Sequence, residues 1–221
     1  SRSKLMIFSA AHSWDQRFVQ IPGYTSIELL YQGTKTVVCQ AVETASQRPV
    51  VIKYLKQNYP SFGELIQFRN QYTIARNLSI PGIVKPLGLE PLGNSYALIM
   101  EDVGSVSLEQ YQQQYPLECS DILAIAIQLA TILHDLQQHR VIHKDIKPTN
   151  ILIHPESKQV KLIDFSIASL LPKETQTLQS PKRLEGTLAY LAPEQTGRMN
   201  RAIDYRTDFY ALGVTLYQQL T

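Results

Sequence analysis

The sequence has few cysteines and almost no excess of charge. Only two cysteines occur in 221 residues and no Cys-x-x-Cys pair is present, which argues against a disulfide framework and a structural zinc site. Lysine and arginine total 21 against 19 acidic residues, a net charge of +2, far from the clustered excess of a nucleic-acid-binding domain. We therefore expect a cytoplasmic protein whose partners do not include nucleic acid.

Long hydrophobic runs are also missing. The longest covers residues 122–133 and is interrupted by Gln128 and Thr131. It is too short to cross a bilayer, so it predicts a core helix and no membrane partner. The 44% of apolar residues suffice for one medium domain or for two small lobes around a cleft.

The first part of the chain has the pattern of an antiparallel sheet. Residues 24–55 are rich in β-branched and aromatic side chains and are punctuated by Gly33 and residues 47–49, which predicts three short strands. Two further strands are expected over residues 84–90 and 95–101. Together these segments predict a small five-stranded sheet.

The remaining periodicity is helical. Ser61 and Glu64 form a capping-box pattern before apolar residues spaced by three and four, which predicts a helix that ends before Pro81. Beyond residue 103 the same spacing predicts a mainly helical second part. Its expected elements are a short helix over 107–115, a long helix over 120–138, a hairpin over 151–163 and a final, largely apolar helix over 207–220.

One loop carries residue types suited to phosphoryl transfer. Asp145, Lys147 and Asn150 lie within residues 141–150. In such a site a carboxylate orients or deprotonates a hydroxyl group, a cation meets the γ-phosphate, and an amide oxygen binds magnesium. Asp164 follows a short apolar strand and offers a second magnesium ligand. A merely polar loop would show the first pattern less than about once in a thousand chains of this length, so we expect a phosphotransferase.

The chain resembles the eukaryotic-type protein kinase family, from about Tyr24 to its end. The resemblance lies in the strand motif at residues 50–53, the loop at 141–150, the segment 186–194 and the helix start at 208–213, all in the expected order. It implies an α+β, bilobal protein-kinase fold. A small antiparallel-sheet N-lobe with one main helix would precede a mainly helical C-lobe.

The resemblance also divides the chain. We expect an N-terminal extension over residues 1–23, the N-lobe over 24–101 and the C-lobe over 102–221. The C-lobe is expected to stop after its central helix, leaving Glu194 without the arginine that a later helix supplies in kinases, so we expect a piece of a longer protein. Between Asp164 and Glu194 lie three candidate phosphorylation sites, Thr175, Thr177 and Ser180.

The resemblance assigns a role to each residue of the site. ATP and Mg²⁺ are the implied cofactors, and Lys53 is expected to hold the α and β phosphates. The backbone of Glu101 and Val103 is expected to meet adenine. The implied residues are Asp145, Lys147, Lys53 and Thr187 for catalysis, Asn150 and Asp164 for the metal, and Gly33, Val38, Val51, Met100, Glu101, Val103 and Leu152 around the nucleotide.

Some positions depart from the family pattern. Tyr31 and Thr36 replace two glycines of the phosphate-covering loop, and Ser166 stands where a glycine follows Asp-Phe. Gln71 stands where the small-lobe helix normally supplies a glutamate to the lysine of the strand motif. A neutral amide oxygen accepts a hydrogen bond from that lysine, but the bond lacks the strength of a charge-assisted one.

Two hypotheses of function stay open. Lys147 and Thr187 are typical of serine/threonine kinases, so the first is a serine/threonine protein kinase that transfers the ATP γ-phosphate to a protein hydroxyl in bacterial signal transduction. The alternative is an ATP-binding pseudokinase that regulates linked domains through its conformation, which the departures favour. A small-molecule phosphotransferase shares the loop pattern, but residues 192–194 and 208–213 speak against it.

A narrower resemblance concerns the longer protein. Residues 31–37 and 185–201 resemble N-terminal kinase domains of large cyanobacterial signalling proteins. In those proteins an AAA-type ATPase, a GAF domain and a histidine kinase commonly follow. The expected partners are therefore a protein substrate with a serine or threonine acceptor and covalently linked C-terminal signalling domains.

Overall fold

A computed structural model describes residues 19–171, 187–196 and 202–220. Most of the expected N-terminal extension lies outside the described residues. The same holds for Gly186 of the activation-segment motif and for the three candidate phosphorylation sites, Thr175, Thr177 and Ser180.

The five predicted strands of the first part form one antiparallel sheet. They are β1 (Tyr24–Gln32), β2 (Thr36–Glu43), β3 (Pro49–Leu55), β4 (Pro86–Leu92) and β5 (Ser95–Glu101), in the order β1-β2-β3-β5-β4. Strand β4 begins two residues later than predicted because the N–H of Val84 donates instead to the carbonyl of Leu162, at 3.1 Å. The sequence pattern does not reveal this pairing with a distant strand.

The two faces of the sheet differ in burial, because alternate side chains of a strand point in opposite directions. On one face Lys53 lies opposite Val38 of β2, and Val51 lies opposite Met100 of β5. These four residues are partly exposed. The other face forms a buried cluster of Ile21, Val37, Cys39, Ala41, Val50, Ile52, Tyr54, Ala97 and Ile99.

Helix α1 (Phe62–Ala75) packs against β4 and β5. Its predicted capping box is confirmed: Ser61 Oγ accepts from the N–H of Glu64, and the Glu64 carboxylate accepts from the N–H of Ser61. The box satisfies two of the backbone donors that a helix start leaves unpaired. The helix buries Phe68 and, unexpectedly for an amide, Gln71.

The second part is mainly helical, as predicted. Its core surrounds the long helix, in which Ile125, Leu129 and Leu136 are almost fully buried. By length and composition alone that helix could span a membrane, but core helices share these properties. The elements are β6 (Val106–Ser107), α2 (Leu108–Gln114), α3 (Cys119–Gln138), β7 (Val141–Ile142), β8 (Ile151–Ile153), β9 (Val160–Leu162), β10 (Ser169–Leu170) and α4 (Arg206–Leu220).

Small sheets frame the loop that carries the chemistry. Strands β6, β8 and β9 form one of them, and β7 pairs with β10 in another. The predicted hairpin over residues 151–163 is therefore β8 and β9. The loop between β7 and β8 lies between these sheets, so both of its ends are held by strands.

Helix α4 contributes Ala211 and Leu212 to the core, while its Tyr217 side chain is 67% exposed. Near its start Thr207 is fully buried and donates its hydroxyl to Glu194 Oε1 at 2.8 Å. Among the described residues, the hydrogen bond of Glu194 is thus to a neutral hydroxyl group. The hydroxyl still satisfies one oxygen of a buried carboxylate.

Several contacts join the sheet to the helical part. The N–H of Leu162 in β9 donates to the carbonyl of Gly82 at 2.8 Å. Lys161 of the same strand places its Nζ 3.0 Å from Glu101 Oε1, at the end of β5. Strand β9 therefore connects the two lobes, and the face of the sheet that carries Lys53 is held relative to the helical lobe.

Candidate active site

The loop between β7 and β8 is anchored by a buried carboxylate. Asp208, in the first turn of α4, accepts the backbone N–H of His143 at 2.8 Å and that of Lys144 at 2.7 Å. Burial raises the pKa of Asp208, and the two backbone donors oppose the rise. Lys144 has a left-handed backbone with φ of 69°, which costs free energy for a residue with a side chain. The anchor offsets that cost and sets the path of the loop.

The imidazole of His143 connects this loop to the strand end after β9. His143 is fully buried, and its Nε2 lies 2.9 Å from the carbonyl oxygen of Ile163. Because a carbonyl only accepts, Nε2 carries the proton and Nδ1 accepts the N–H of Asp145, at 3.3 Å. The ring also packs edge-on against Phe165, with centroids 4.8 Å apart. The backbone of Asp145 is thus fixed relative to residues 163–165.

The three residues expected to act on the transferred group lie together. Lys147 Nζ is 2.7 Å from Asp145 Oδ2, and Thr187 donates its hydroxyl to Asp145 Oδ1 at 3.1 Å. Lys147 also donates to Thr187 Oγ1 at 2.6 Å. A carboxylate held between a lysine and a hydroxyl group presents an oriented proton acceptor beside a cation. Thr187 lies 42 positions from Asp145, and the resemblance alone identified it.

A glutamine that the sequence pattern does not single out supports the same loop from the side of Thr187. Gln195 is buried, accepts the N–H of Ala192 at 2.9 Å and donates to the carbonyl of Lys144 at 3.2 Å. It therefore fixes the segment after Thr187 against the loop that carries Asp145. Its position directly after Glu194 gave no local signal of this contact.

Asn150 and Asp164 are brought close by strand pairing. Ile151 in β8 pairs with Leu162 in β9, and the N–H of Ile163 donates to the carbonyl of Asn150 at 3.0 Å. Asp164 is the next residue, so the hairpin explains why two candidate ligands separated by 13 residues in the sequence meet. The amide nitrogen of Asn150 donates to Asp145, at 2.9 Å from both the backbone oxygen and Oδ2.

These two residues fit a magnesium ion that is completed by phosphate. The Asn150 amide directs its nitrogen to Asp145, which leaves its oxygen as the ligand atom, and Asp164 adds a carboxylate. No group of three or more His, Cys, Asp or Glu side chains within the described ranges is arranged to hold a metal. Mg²⁺ characteristically uses one or two protein oxygens together with substrate phosphates, so the donor set suits this ion.

Lys53 links the sheet to Asp164. Its Nζ lies 3.1 Å from Asp164 Oδ2 and donates to Gln71 Oε1 at 2.9 Å. Burial raises the pKa of Asp164, but the charge of Lys53 and the N–H of Ser166 outweigh it, so the pKa lies well below its usual range. Asp164 is therefore a carboxylate at neutral pH, as a metal ligand must be. Its φ of 67° is left-handed, as is common for strained residues at functional sites.

Helix α1 reaches the segment after Asp164 through Asn70, a residue that the sequence pattern does not single out. Asn70 directs its amide nitrogen to three backbone carbonyls, at 2.9 Å from Ala168, 3.1 Å from Ser166 and 3.4 Å from Phe165. Nothing in the local sequence indicates a contact across about 95 positions. Its neighbour Gln71, by contrast, could be located by counting from the family motif.

The expected nucleotide residues line the side of the sheet that carries Lys53. The register places Val38, Val51 and Met100 on that face. Leu152 in β8 is partly exposed beneath it, and Glu101 and Val103 lie at the end of β5. The carboxylate of Glu101 turns away to Lys161 and to the N–H of Lys85. Its backbone N–H donates to the carbonyl of Lys85, so the expected contact with a nucleotide base falls to its carbonyl oxygen.

The phosphate-covering turn between β1 and β2 carries Gly33. A Cβ atom at Gly33 would lie 2.7 Å from the hydroxyl oxygen of Tyr31, so the glycine provides the space for that ring. At the tip, Lys35 Nζ lies 2.8 Å from Glu64 Oε1 of α1. Glu64 was predicted only as a capping residue, and this second contact joins the turn to the helix.

Comparison with known proteins identifies the family of this chain. A family model described as the protein kinase domain matches residues 24–221. The serine/threonine-protein kinase PrkC of Bacillus subtilis is 31% identical over 200 residues, 90% of this chain and 30% of that protein. PknB of Mycolicibacterium smegmatis, also a serine/threonine-protein kinase, is 32% identical over 205 residues, 88% of this chain and 32% of that protein.

A third similar protein is the serine/threonine-protein kinase pkn3 of Myxococcus xanthus, 29% identical over 201 residues, 87% of this chain and 36% of that protein. The chain spans roughly a third of the length of these curated relatives.

Proposed function

This chain belongs to the protein kinase family, and we propose that it transfers the γ-phosphate of ATP to serine and threonine hydroxyl groups of a protein substrate in bacterial signal transduction. The observation that carries the proposal is the contact of Asp145 with both Lys147 and Thr187. A lysine and a threonine at these positions are the features that the resemblance associates with serine/threonine kinases. The relatives from Bacillus subtilis and Mycolicibacterium smegmatis, which match about nine-tenths of the chain, are also named serine/threonine-protein kinases.

Asp145 is the group that receives the substrate hydroxyl. Its carboxylate orients the hydroxyl group and takes its proton, while the hydroxyl oxygen forms a bond to the γ-phosphorus. The bond from that phosphorus to the bridging oxygen of ADP breaks as the new bond forms. Lys147, 2.7 Å from Asp145, provides positive charge for the transferred group, which is the main protein contribution to such a reaction.

Asn150 and Asp164 are the residues that would hold Mg²⁺. When bound, the ion neutralises charge on the phosphate oxygens as the reaction proceeds. Asp164 remains ionised because of its contact with Lys53, and Lys53 in turn holds the α and β phosphates. The hydrophobic surface of Val38 and Val51 receives the adenine ring, since flat apolar walls favour stacking of a base.

We also propose a division of the chain and a setting for it. Residues 24–101 act as the N-lobe and residues 102–221 belong to the C-lobe, with residues 1–23 as an extension. The low cysteine content supports the cytoplasm as the location of this domain. The resemblance of residues 31–37 and 185–201 to cyanobacterial kinases supports covalently linked signalling domains as its partners.

The test is phosphate transfer from labelled ATP and Mg²⁺ to a generic acceptor protein, followed by identification of the modified amino acid. We expect the wild-type full-length protein to produce phosphoserine and phosphothreonine. In Asp145→Ala the rate of transfer should fall by about 100-fold or more. Glu109→Ala removes an exposed carboxylate from α2 and is the matched control, with an unchanged rate.

Two results would overturn the proposal. Phosphotyrosine as the sole product would contradict the assigned acceptor. Stabilisation of the fold by ATP without any transfer would favour the nucleotide-binding regulator, for which the neutral contact of Gln71 with Lys53 is the supporting observation.

A further inference from the structure

We propose that Asn70 is a positioning residue, which holds the backbone after Asp164 so that the Asp164 carboxylate stays directed at the metal. The proposal rests on the proposed function, because Asp164 is a metal ligand only in a phosphotransferase. Asn70 lies on α1 and touches neither the nucleotide residues nor the loop of Asp145 through any of its hydrogen bonds. Its action on the reaction is therefore indirect.

The geometry is that of one donor group facing several acceptors. The amide nitrogen of Asn70 carries two hydrogens, and its shortest contacts are to the carbonyls of Ala168 and Ser166, with Phe165 a longer third. These carbonyls belong to a turn that is closed by a hydrogen bond from the N–H of Ala168 to the carbonyl of Phe165, at 3.2 Å. Asn70 thus satisfies backbone groups in a segment that is not a helix or a strand.

The turn controls Asp164 through the chain. The N–H of Ser166 donates to Asp164 Oδ1 at 3.3 Å, and Asp164 itself has a left-handed φ of 67°. A residue in that region persists only where its surroundings hold it. Among the described residues five non-glycine residues have a positive φ, and Ser166 is not one of them. This conformation therefore does not need the glycine that the family pattern has there.

Two neighbouring amides of α1 hold Asp164 from different sides. Gln71 accepts from Lys53, which contacts Asp164 Oδ2, so the carboxylate is held through its side chain. Asn70 holds the backbone on its C-terminal side. A movement of α1 away from the site would break both connections. Both connections to the helix use neutral groups, and the usual glutamate is not required for them.

The donor chemistry explains why the residue is an amide. A carboxylate at position 70 would bring negative charge to carbonyl oxygens and offer them no proton, whereas asparagine has the same shape and donates. The informative variants are therefore Asn70→Asp, which reverses the hydrogen-bonding character, and Asn70→Leu, which removes it. Asn77→Ala is the matched control, because Asn77 is exposed and its side-chain amide donates to the carbonyl of Thr73, near the end of the same helix and away from Asp164.

The test uses two readouts that do not need activity. The first is the dissociation constant of Mn²⁺ in the presence of ADP, measured by electron paramagnetic resonance. The second is amide hydrogen exchange across residues 164–170. We expect Asn70→Asp and Asn70→Leu to weaken Mn²⁺ binding about tenfold and to speed exchange in that segment by a similar factor, because tenfold corresponds to about 1.4 kcal/mol, within reach of the one or two hydrogen bonds that are lost. Asn77→Ala should change neither.

A third readout separates positioning from general damage. The Mg²⁺ concentration for half-maximal transfer should rise about tenfold in both Asn70 variants, with kcat at saturating Mg²⁺ within about twofold of wild type. If stability falls while Mn²⁺ affinity and exchange at 164–170 stay as in wild type, Asn70 is only structural and the proposal is wrong. If the wild-type protein transfers no phosphate, the proposed function fails, while Mn²⁺ binding and exchange still decide the role of Asn70.

Discussion

At the scale of single residues, Lys53 has one charged and one neutral partner. Its contact with Asp164 is an ion pair and its contact with Gln71 is an amide hydrogen bond. A charge-assisted hydrogen bond is about twice as strong as a neutral one. Gln71 therefore holds Lys53 less firmly than a glutamate at this position would. The orientation of Lys53 depends more on its ion pair with Asp164.

Changing the neutral partner should tune the rate of transfer. Gln71→Glu gives Lys53 a carboxylate partner and is expected to raise kcat/KM for ATP about fivefold. Gln71→Met removes the acceptor and should lower it about tenfold. Thr73→Glu adds the same charge at an exposed position of α1 and should have little effect. A decrease in Gln71→Glu would show that the neutral contact is itself optimal.

The residue scale also shows what a sequence reveals about a site. Asp145, Lys147 and Asn150 could be predicted from the sequence because one loop contains all three. Gln71 could be predicted because it stands at a fixed number of positions before a family motif. The role of Asn70 could not be predicted, because the backbone carbonyls that it contacts lie about 95 positions away. Every residue type has a backbone carbonyl, so the sequence there carries no sign of the contact. Side-chain contacts to distant backbone leave no local pattern.

At the scale of elements, the start of α1 is stabilised by charge as well as by capping. Glu64 accepts from Lys35 at 2.8 Å and from the N–H and hydroxyl of Ser61 at 3.0 and 2.8 Å. The Lys35 contact and the Ser61 donors lower the pKa of Glu64 from 4.5 to about 2. Its contribution to stability is therefore present above pH 4.5 and is lost as the pH falls towards 2.

The pH dependence of Glu64→Gln tests this assignment. The melting temperature of the variant should lie below that of wild type by a constant amount from pH 7 to about pH 5, and the gap should shrink below pH 4.5. Lys35→Met keeps the capping box and removes only the ion pair. Its smaller deficit should disappear at high salt, because exposed pairs are screened. A gap that does not change with pH would mean that the carboxylate charge is irrelevant.

Helix α3 and the loop before β4 approach each other closely at Gly82. A Cβ atom at Gly82 would lie 2.1 Å from Ile132 Cγ1. Gly82→Ala should therefore destabilise the protein by about 1–3 kcal/mol in urea unfolding, and Ile132→Ala in the same chain should recover part of that loss. Gly63→Ala, in α1 with no neighbour within 4 Å, should stabilise by about 0.5–1 kcal/mol. Equal effects at the two glycines would refute the steric explanation.

The bounds of a helix or strand were predicted well where a regular spacing of apolar residues within the element defines them. Helix α3 begins and ends within one residue of the expectation, because a buried stripe continues along its whole length. The start of β4 was wrong by two residues, since Val84 pairs with β9. A boundary that is decided by a tertiary hydrogen bond is not visible in the sequence near it.

At the scale of the whole molecule, the site needs both lobes. Lys53 comes from the sheet, Asp145 and Asn150 from the loop between β7 and β8, and Asp164 from the segment that follows β9. Strand β9 connects the lobes through Gly82 and Glu101 and so helps to hold the charged network together. The two lobes should make separable contributions, with nucleotide orientation from the sheet and chemistry from the loop.

The most direct test of this account is the rate of phosphate transfer to an acceptor protein as a function of ATP concentration, compared among wild type, Lys53→Met and Asp145→Asn. We expect Lys53→Met to raise KM for ATP and lower kcat, and Asp145→Asn to lower kcat about 100-fold or more with KM for ATP little changed. Wild-type rates in both variants, or transfer that survives in Asp145→Asn, would contradict the claim that these residues form one phosphoryl-transfer site.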